Sequence, residues 1–126
     1  MKLQNFEQVE ETSVELPGAT GCKMRLLVSD KDGAPTFAMR QFAVEPSGHT
    51  PLHSHDYEHE VYVLSGSGIA VEGTVEHPIQ RGDVLFVEPN EIHQFKNNGS
   101  EPLEFICLIP NSAAGKAVTL APNGAC

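Results

Sequence analysis

Turn-forming residues cut this chain into pieces of strand length. Asp32-Gly33, Pro46-Ser47-Gly48, Ser65-Gly66-Ser67-Gly68, Arg81-Gly82-Asp83, Pro89-Asn90 and Asn98-Gly99 follow one another along it, each marking a place where the backbone turns and a helix stops. Between them lie β-prone runs at 24–28, 36–44, 60–65, 69–72, 84–87, 93–96 and 103–109. Almost nothing carries the period of an amphipathic helix. Short strands at this spacing predict an all-β sandwich or barrel.

The run 36–44 alternates, with Ala38, Arg40, Phe42 and Val44 on one face and Phe37, Met39, Gln41 and Ala43 on the other. Both faces are largely apolar. That suits a strand between a barrel interior and a packed outer surface such as a subunit contact.

The 126 residues fit one domain, 1–126, with its core over about 20–110. Residues 111–126 are small and polar and predict a loosely attached tail, in which 118–120 offer an edge strand. The opening MKLQNFEQVE has two acidic residues and no apolar run, so neither a secretory signal nor an anchor is expected there. Eight Lys and Arg against 17 Asp and Glu leave a net charge of −9. That balance disfavours nucleic acid and anionic membranes, which are bound through basic residues. Cys22, Cys107 and Cys126 are an odd set without CxxC spacing, which gives no disulfide framework or cysteine-rich zinc site. A cytoplasmic protein with a small-molecule substrate or ligand is the expectation.

Six histidines stand in this short chain, and His53, His55 and His59 lie within GHTPLHSHDYEHEVYVLSG. Side-chain direction repeats every two residues on an extended segment, so His53 and His55 converge. A further donor can arrive at the start of the next strand. His93, after Pro89-Asn90, joins them only if the sheet closes on itself. Core packing alone does not explain such a set, because buried imidazoles need polar partners. His49 and His77 stand apart and read as ordinary surface or core residues. Imidazole suits manganese, iron, cobalt, nickel, copper or zinc, and Asp56, Glu58 and Glu60 are candidate acceptors for the outer ring nitrogens.

These residues resemble two motifs of the cupin superfamily. Gly48 to Gly66 resembles the first, which runs Gly, five residues, His-X-His, three or four residues, Glu, six residues, Gly. Gly82, Pro89, His93 and Asn97 resemble the second. One residue fewer separates Gly48 from His53, one more separates Gly82 from Pro89, and Glu91 stands where the pattern has Gly. The usual Glu ligand is the main departure: both spacings put His59 there, while Glu60 fits only the looser one. His59 is favoured, with Glu60 the alternative.

The resemblance is to small single-domain cupins with four-histidine sites. It implies a jelly-roll barrel (a double-stranded β-helix) that pairs as a homodimer and binds a divalent transition metal through His53, His55, His59 and His93, with manganese first and iron, nickel, copper, cobalt or zinc as alternatives. Open positions on such a metal point to an oxygen- or peroxide-using, dioxygenase-like oxidoreductase on a small organic molecule. A non-catalytic metal- or ligand-binding module and a metal-dependent isomerase or lyase are the alternatives. Glu60, Glu91, Cys107 and Arg40 are the candidate catalytic side chains, for proton transfer, a thiol near the metal and orientation of an anion respectively. Phe42, Phe95, Phe105, Met39, Ile106 and Leu108 form the pool for the pocket lining and core.

Overall fold

The computed structural model describes residues 1–113 and 119–120. Among them eleven strands follow in chain order: β1 (Glu11–Ser13), β2 (Thr20–Val28), β3 (Phe37–His49), β4 (His53–Ser54), β5 (His59–Ser65), β6 (Ser67–Glu72), β7 (Val75–Gln80), β8 (Val84–Val87), β9 (His93–Lys96), β10 (Leu103–Pro110) and β11 (Thr119–Leu120). Every pairing is antiparallel. The all-β barrel expected from the turn spacing is what the chain forms. Among the described residues no helix is long and apolar enough to cross a membrane.

Two walls share β3. Along 37–44 it is flanked by β2 and β10, and β10 continues to β5 and β8. Beyond Pro46 and Ser47, where Ser47 takes a left-handed φ of 70°, the end of β3 turns to the second wall and His49 pairs with Lys96 of β9. That wall runs β11-β4-β9-β6-β7. A barrel results because one long strand bends out of the first layer into the second.

Glycine makes the closure possible. A Cβ on Gly48 would lie 2.6 Å from the Thr20 carbonyl oxygen. Gly66, at φ 80°, passes so close to the Pro102 carbonyl that no side chain fits there. The second motif's Asn97 is buried and donates from Nδ2 to the carbonyls of Val44 (2.8 Å) and Glu101 (2.7 Å), while its Oδ1 accepts from Gly99 N–H (2.9 Å). Asn97 thus pins the 97–101 turn to β3 and stands outside the histidine cluster.

Alternation decides what enters the core. On β10, Leu103, Phe105, Cys107 and Ile109 are buried, and on β5 His59, Val61 and Val63 are. Leu103, Phe105, Val44 and Val63 are almost wholly enclosed. Of the six pool residues, Phe42, Phe95 and Phe105 face inward, and Phe105 lies 5.4 Å from Phe42 and 4.7 Å from Phe95 between ring centroids. Met39, Ile106 and Leu108 do not line the pocket. On the opposite face Met39 pairs with Leu108, Leu108 with Glu60 and Ile106 with Tyr62, where Tyr62, Val84 and Phe86 are exposed.

Strand β7 was not expected from its sequence, VEHPIQ, which has no apolar alternation and contains Pro78. Among the described residues it pairs only with β6, and an edge strand tolerates the missing N–H of proline. The tail is closer to the barrel than expected over part of its length. Ala113 is buried, Asn111 Nδ2 donates to the Ala34 carbonyl, and Leu120 pairs with His53. The rest of the expected tail, including Val118, lies outside the described residues.

Candidate metal centre

The four histidines come from both walls. His53 lies on β4 and His93 on β9, paired directly across the ladder. His55 follows on the loop, and His59 opens β5 on the other wall. One ring nitrogen from each lies within 4.8 Å of all the others. His55, His59 and His93 are buried and His53 is half-buried.

The outer nitrogens fix which nitrogen faces the centre. Nδ1 of His53 donates to the Pro51 carbonyl at 2.6 Å, Nδ1 of His55 to Tyr57 at 2.7 Å, and Nδ1 of His93 to Glu91 at 2.8 Å. A carbonyl only accepts, so each Nδ1 carries the proton and each Nε2 presents a lone pair inward. The expected carboxylate acceptors Asp56, Glu58 and Glu60 are replaced in this role by main-chain oxygens. His59 is held differently, with Nδ1 3.1 Å from Cys107 Sγ and Nε2 2.8 Å from His55 Nε2.

All four rings are held neutral. Burial lowers His53 and His55 below the usual histidine value of 6.5, pushes His93 down to about 4, and together with the Arg40 charge and the neighbouring rings pushes His59 down to about 2. Neutral imidazole is the ligating form. His93 Nε2 is buried without any hydrogen-bond partner, an orphan that buried polar groups avoid unless something fills the place. A cation at this point satisfies it, and an all-imidazole donor set fits a divalent transition metal.

Three of the four, His53, His59 and His93, line a cavity of about 590 Å³. Phe42, Phe95, Phe105, Met24 and Leu26 give it apolar walls, and Val14 and Leu16 beside β1 close it from the N-terminal side. Arg40 and Cys107 both reach it. Arg40 Nη2 donates to Cys107 Sγ at 3.3 Å, and the guanidinium carbon lies 4.9 Å from the Phe42 ring centre. Burial raises the Cys107 thiol, partly offset by Arg40, so Cys107 stays a thiol. Tyr57 stacks on His55 with centroids 3.8 Å apart and planes at 6°, and burial raises its phenol. Tyr57, Val14 and Leu16 carry no ligand signature. The one signal available for Tyr57 is its position between His55 and His59.

The remaining candidates stand elsewhere. Glu60 follows His59 on the strand and is therefore turned to the outer face, exposed. Glu91 accepts from the Glu88 N–H at 2.9 Å and shapes the turn before His93, so neither carboxylate reaches the cavity as a base. His77 is exposed and 2.9 Å from Glu72. His49 contacts the Thr50 carbonyl at 3.3 Å.

The family model for the cupin domain matches residues 40–109, which span both motifs and every ligand candidate. This chain is a cupin. The cupin is 37% identical over 65 residues to an oxalate-binding protein of Thermotoga maritima, covering 51% of this chain and 54% of that protein. It is 32% identical over 74 residues to the 1-methylthio-D-xylulose 5-phosphate methylsulfurylase of Rhodospirillum rubrum, covering 59% and 47%. The chain spans about half the length of these curated relatives. Among solved structures, the polyketide cyclase RemF of Streptomyces resistomycificus superposes with a TM-score of 0.88 at 29% identity, over 99% of this cupin and 89% of that chain.

Proposed function

We propose that this cupin is a metal-dependent enzyme for an apolar, enolisable substrate with neighbouring carbonyl or phenolic oxygens, and that it promotes ring closure of such a chain. The observation that carries this reading is the convergence of four neutral imidazoles, three with carbonyl-fixed tautomers, of which His53, His59 and His93 line a 590 Å³ cavity with apolar walls. A cavity of that size belongs to the range for whole organic ligands. The similarity to RemF along nearly the entire chain supports cyclisation in particular.

His53, His55, His59 and His93 would hold the cation, with manganese the first candidate. A divalent metal there supplies Lewis acidity to substrate oxygens, without the charge neutralisation a carboxylate ligand would bring. The aromatic wall of Phe42, Phe95 and Phe105 holds the folded chain and excludes water. Tyr57, kept protonated by its raised pKa, can donate a hydrogen bond to a carbonyl oxygen. Ring closure joins an enol carbon to a carbonyl carbon and ends with loss of water. It is redox-neutral and needs no strong protein base, because flanking carbonyls already acidify the C–H, which agrees with the outward Glu60 and Glu91.

The test is incubation of protein loaded separately with manganese, iron, cobalt, nickel or zinc with a linear aryl triketone, followed by mass spectrometry and an oxygen electrode. The expected result is a product lighter by one water, without oxygen uptake, that disappears in His93→Ala. Oxygen consumption coupled to substrate loss would replace this reading with the oxidoreductase expected from sequence. No turnover with any metal would leave a binding module.

A further inference from the structure

Arg40 brings a second positive charge into the cavity that already gathers the metal donors. It sits on β3 directly opposite Cys107 of β10 in the ladder, with its side chain on the inward face. A guanidinium carries five N–H donors. Of these, one meets the soft sulfur of Cys107 at 3.3 Å, and the buried Nε has no acceptor among the described residues. Among the described residues no carboxylate pairs with Arg40. The one carboxylate that lines the cavity, Glu15, is exposed and lies beyond ion-pair distance.

Buried charge normally arrives with its counter-charge, since taking an ion out of water without one is costly. Here a half-buried permanent cation, its Nε wholly buried, and a four-imidazole donor set without carboxylate stand at one cavity. The Arg40 charge is felt at His53, His55, His59, Tyr57 and Cys107 alike, which places it among the groups of the site. Phe42 beneath the guanidinium stabilises it through its ring face and offers no negative charge.

Building on the metal-site reading above, we infer that Arg40 is a binding residue for an anionic oxygen of the ligand, so that the cavity selects organic anions, carboxylates or enolates on an apolar body, over their neutral counterparts. Arg40 takes the anion while Phe42, Phe95 and Phe105 take the apolar part. The bond is an ion pair with hydrogen bonds, and no covalent step is involved. The short-handed guanidinium explains why the cavity, with apolar walls, keeps an arginine in place of a leucine or methionine.

The probes are 1-naphthoate and 1-naphthamide, which share a ring system and differ in charge, titrated calorimetrically into the full chain with and without manganese. The wild-type protein should bind naphthoate at least tenfold more tightly than naphthamide. Several-fold preference should persist without metal, because Arg40 needs no cation to act. Arg40→Gln should erase the preference while leaving bound manganese, measured by elemental analysis, unchanged, and Arg40→Lys should retain part of it. Equal binding of the two probes, failure of naphthoate to bind at millimolar concentration, or an undiminished preference in Arg40→Gln would overturn the inference. Should Arg40→Gln fail to fold, the wild-type preference itself decides. Loss of manganese binding with the naphthoate preference intact would sink the metal reading and spare this one.

Discussion

The two walls of the barrel hold their histidines by different means. On the wall of β4 and β9, His53, His55 and His93 are each locked by a main-chain carbonyl two positions away, from Pro51, Tyr57 and Glu91. On the wall of β5 and β10, His59 leans on a side chain, Cys107, which in turn meets Arg40. Backbone acceptors cannot be removed by substitution, and a thiol can. One half of the centre is therefore fixed by chain path, and the other half is open to adjustment by single residues and joined to the cavity's cation.

Ligand removal should show the largest effect and should not distinguish the walls. His93→Ala or His59→Ala should each weaken metal binding by roughly a thousandfold or more, because a site of this kind depends on its full ligand set. Competition with a fluorescent chelator would measure it, and a loss of only a few-fold in either variant would remove that histidine from the set.

Acid should act on both walls next. In the metal-free protein the unfolded chain binds protons at histidine near 6.5, whereas folded His93 does so only at about 4 and His59 at about 2. Below pH 6.5 the unfolded state thus holds more protons, so stability falls as pH drops through this window and is fully present above it. Urea midpoints measured from pH 8 to pH 4 should be flat and then decline. A midpoint independent of pH would mean that the rings are not held neutral.

Closure of the barrel gives a third test. Gly66→Ala forces a left-handed φ on alanine and drives its Cβ into the Pro102 carbonyl, so a loss of about 3 kcal/mol is expected. Thermal melts of the metal-free variant would show it.

Cys107 separates the walls directly. Cys107→Ala should lower metal affinity by about tenfold, the lower end for loss of an outer-sphere partner, because the Leu108 carbonyl still acts on His59. Cys107→Ser should recover most of it. Equal affinity in all three proteins would make the thiol a packing atom. The smallest effect belongs to Glu60→Gln, which should leave metal binding and turnover within twofold, consistent with an exposed side chain on the outer face.

Much of this arrangement can be read from the chain. The long strand through Arg40, the two motif segments and β10 alternate or carry ligands at fixed spacing, so their inward faces follow from period two. His59 rather than Glu60 faces the cluster for the same reason. What the sequence does not display is whatever depends on closure. The shared strand that bends at Ser47 shows only as Pro46-Ser47-Gly48. Strand β7, with Pro78 and His77, has little apolar signal because among the described residues it is held at an edge by β6 alone. Val14 and Leu16 become cavity wall only once β1 lies against β2. The outer acceptors leave no mark in the sequence either, since every residue has a carbonyl.

Those carbonyls lie very near the rings they hold, two positions along the chain in each of three cases. The imidazole orientations are thus settled when the local segments fold, and their rotational freedom is already given up before any ion arrives. Such a preorganised cage takes up its guest with little rearrangement. Most of the entropy cost of assembling it falls on folding, so an ion entering there would meet donors already aimed at it.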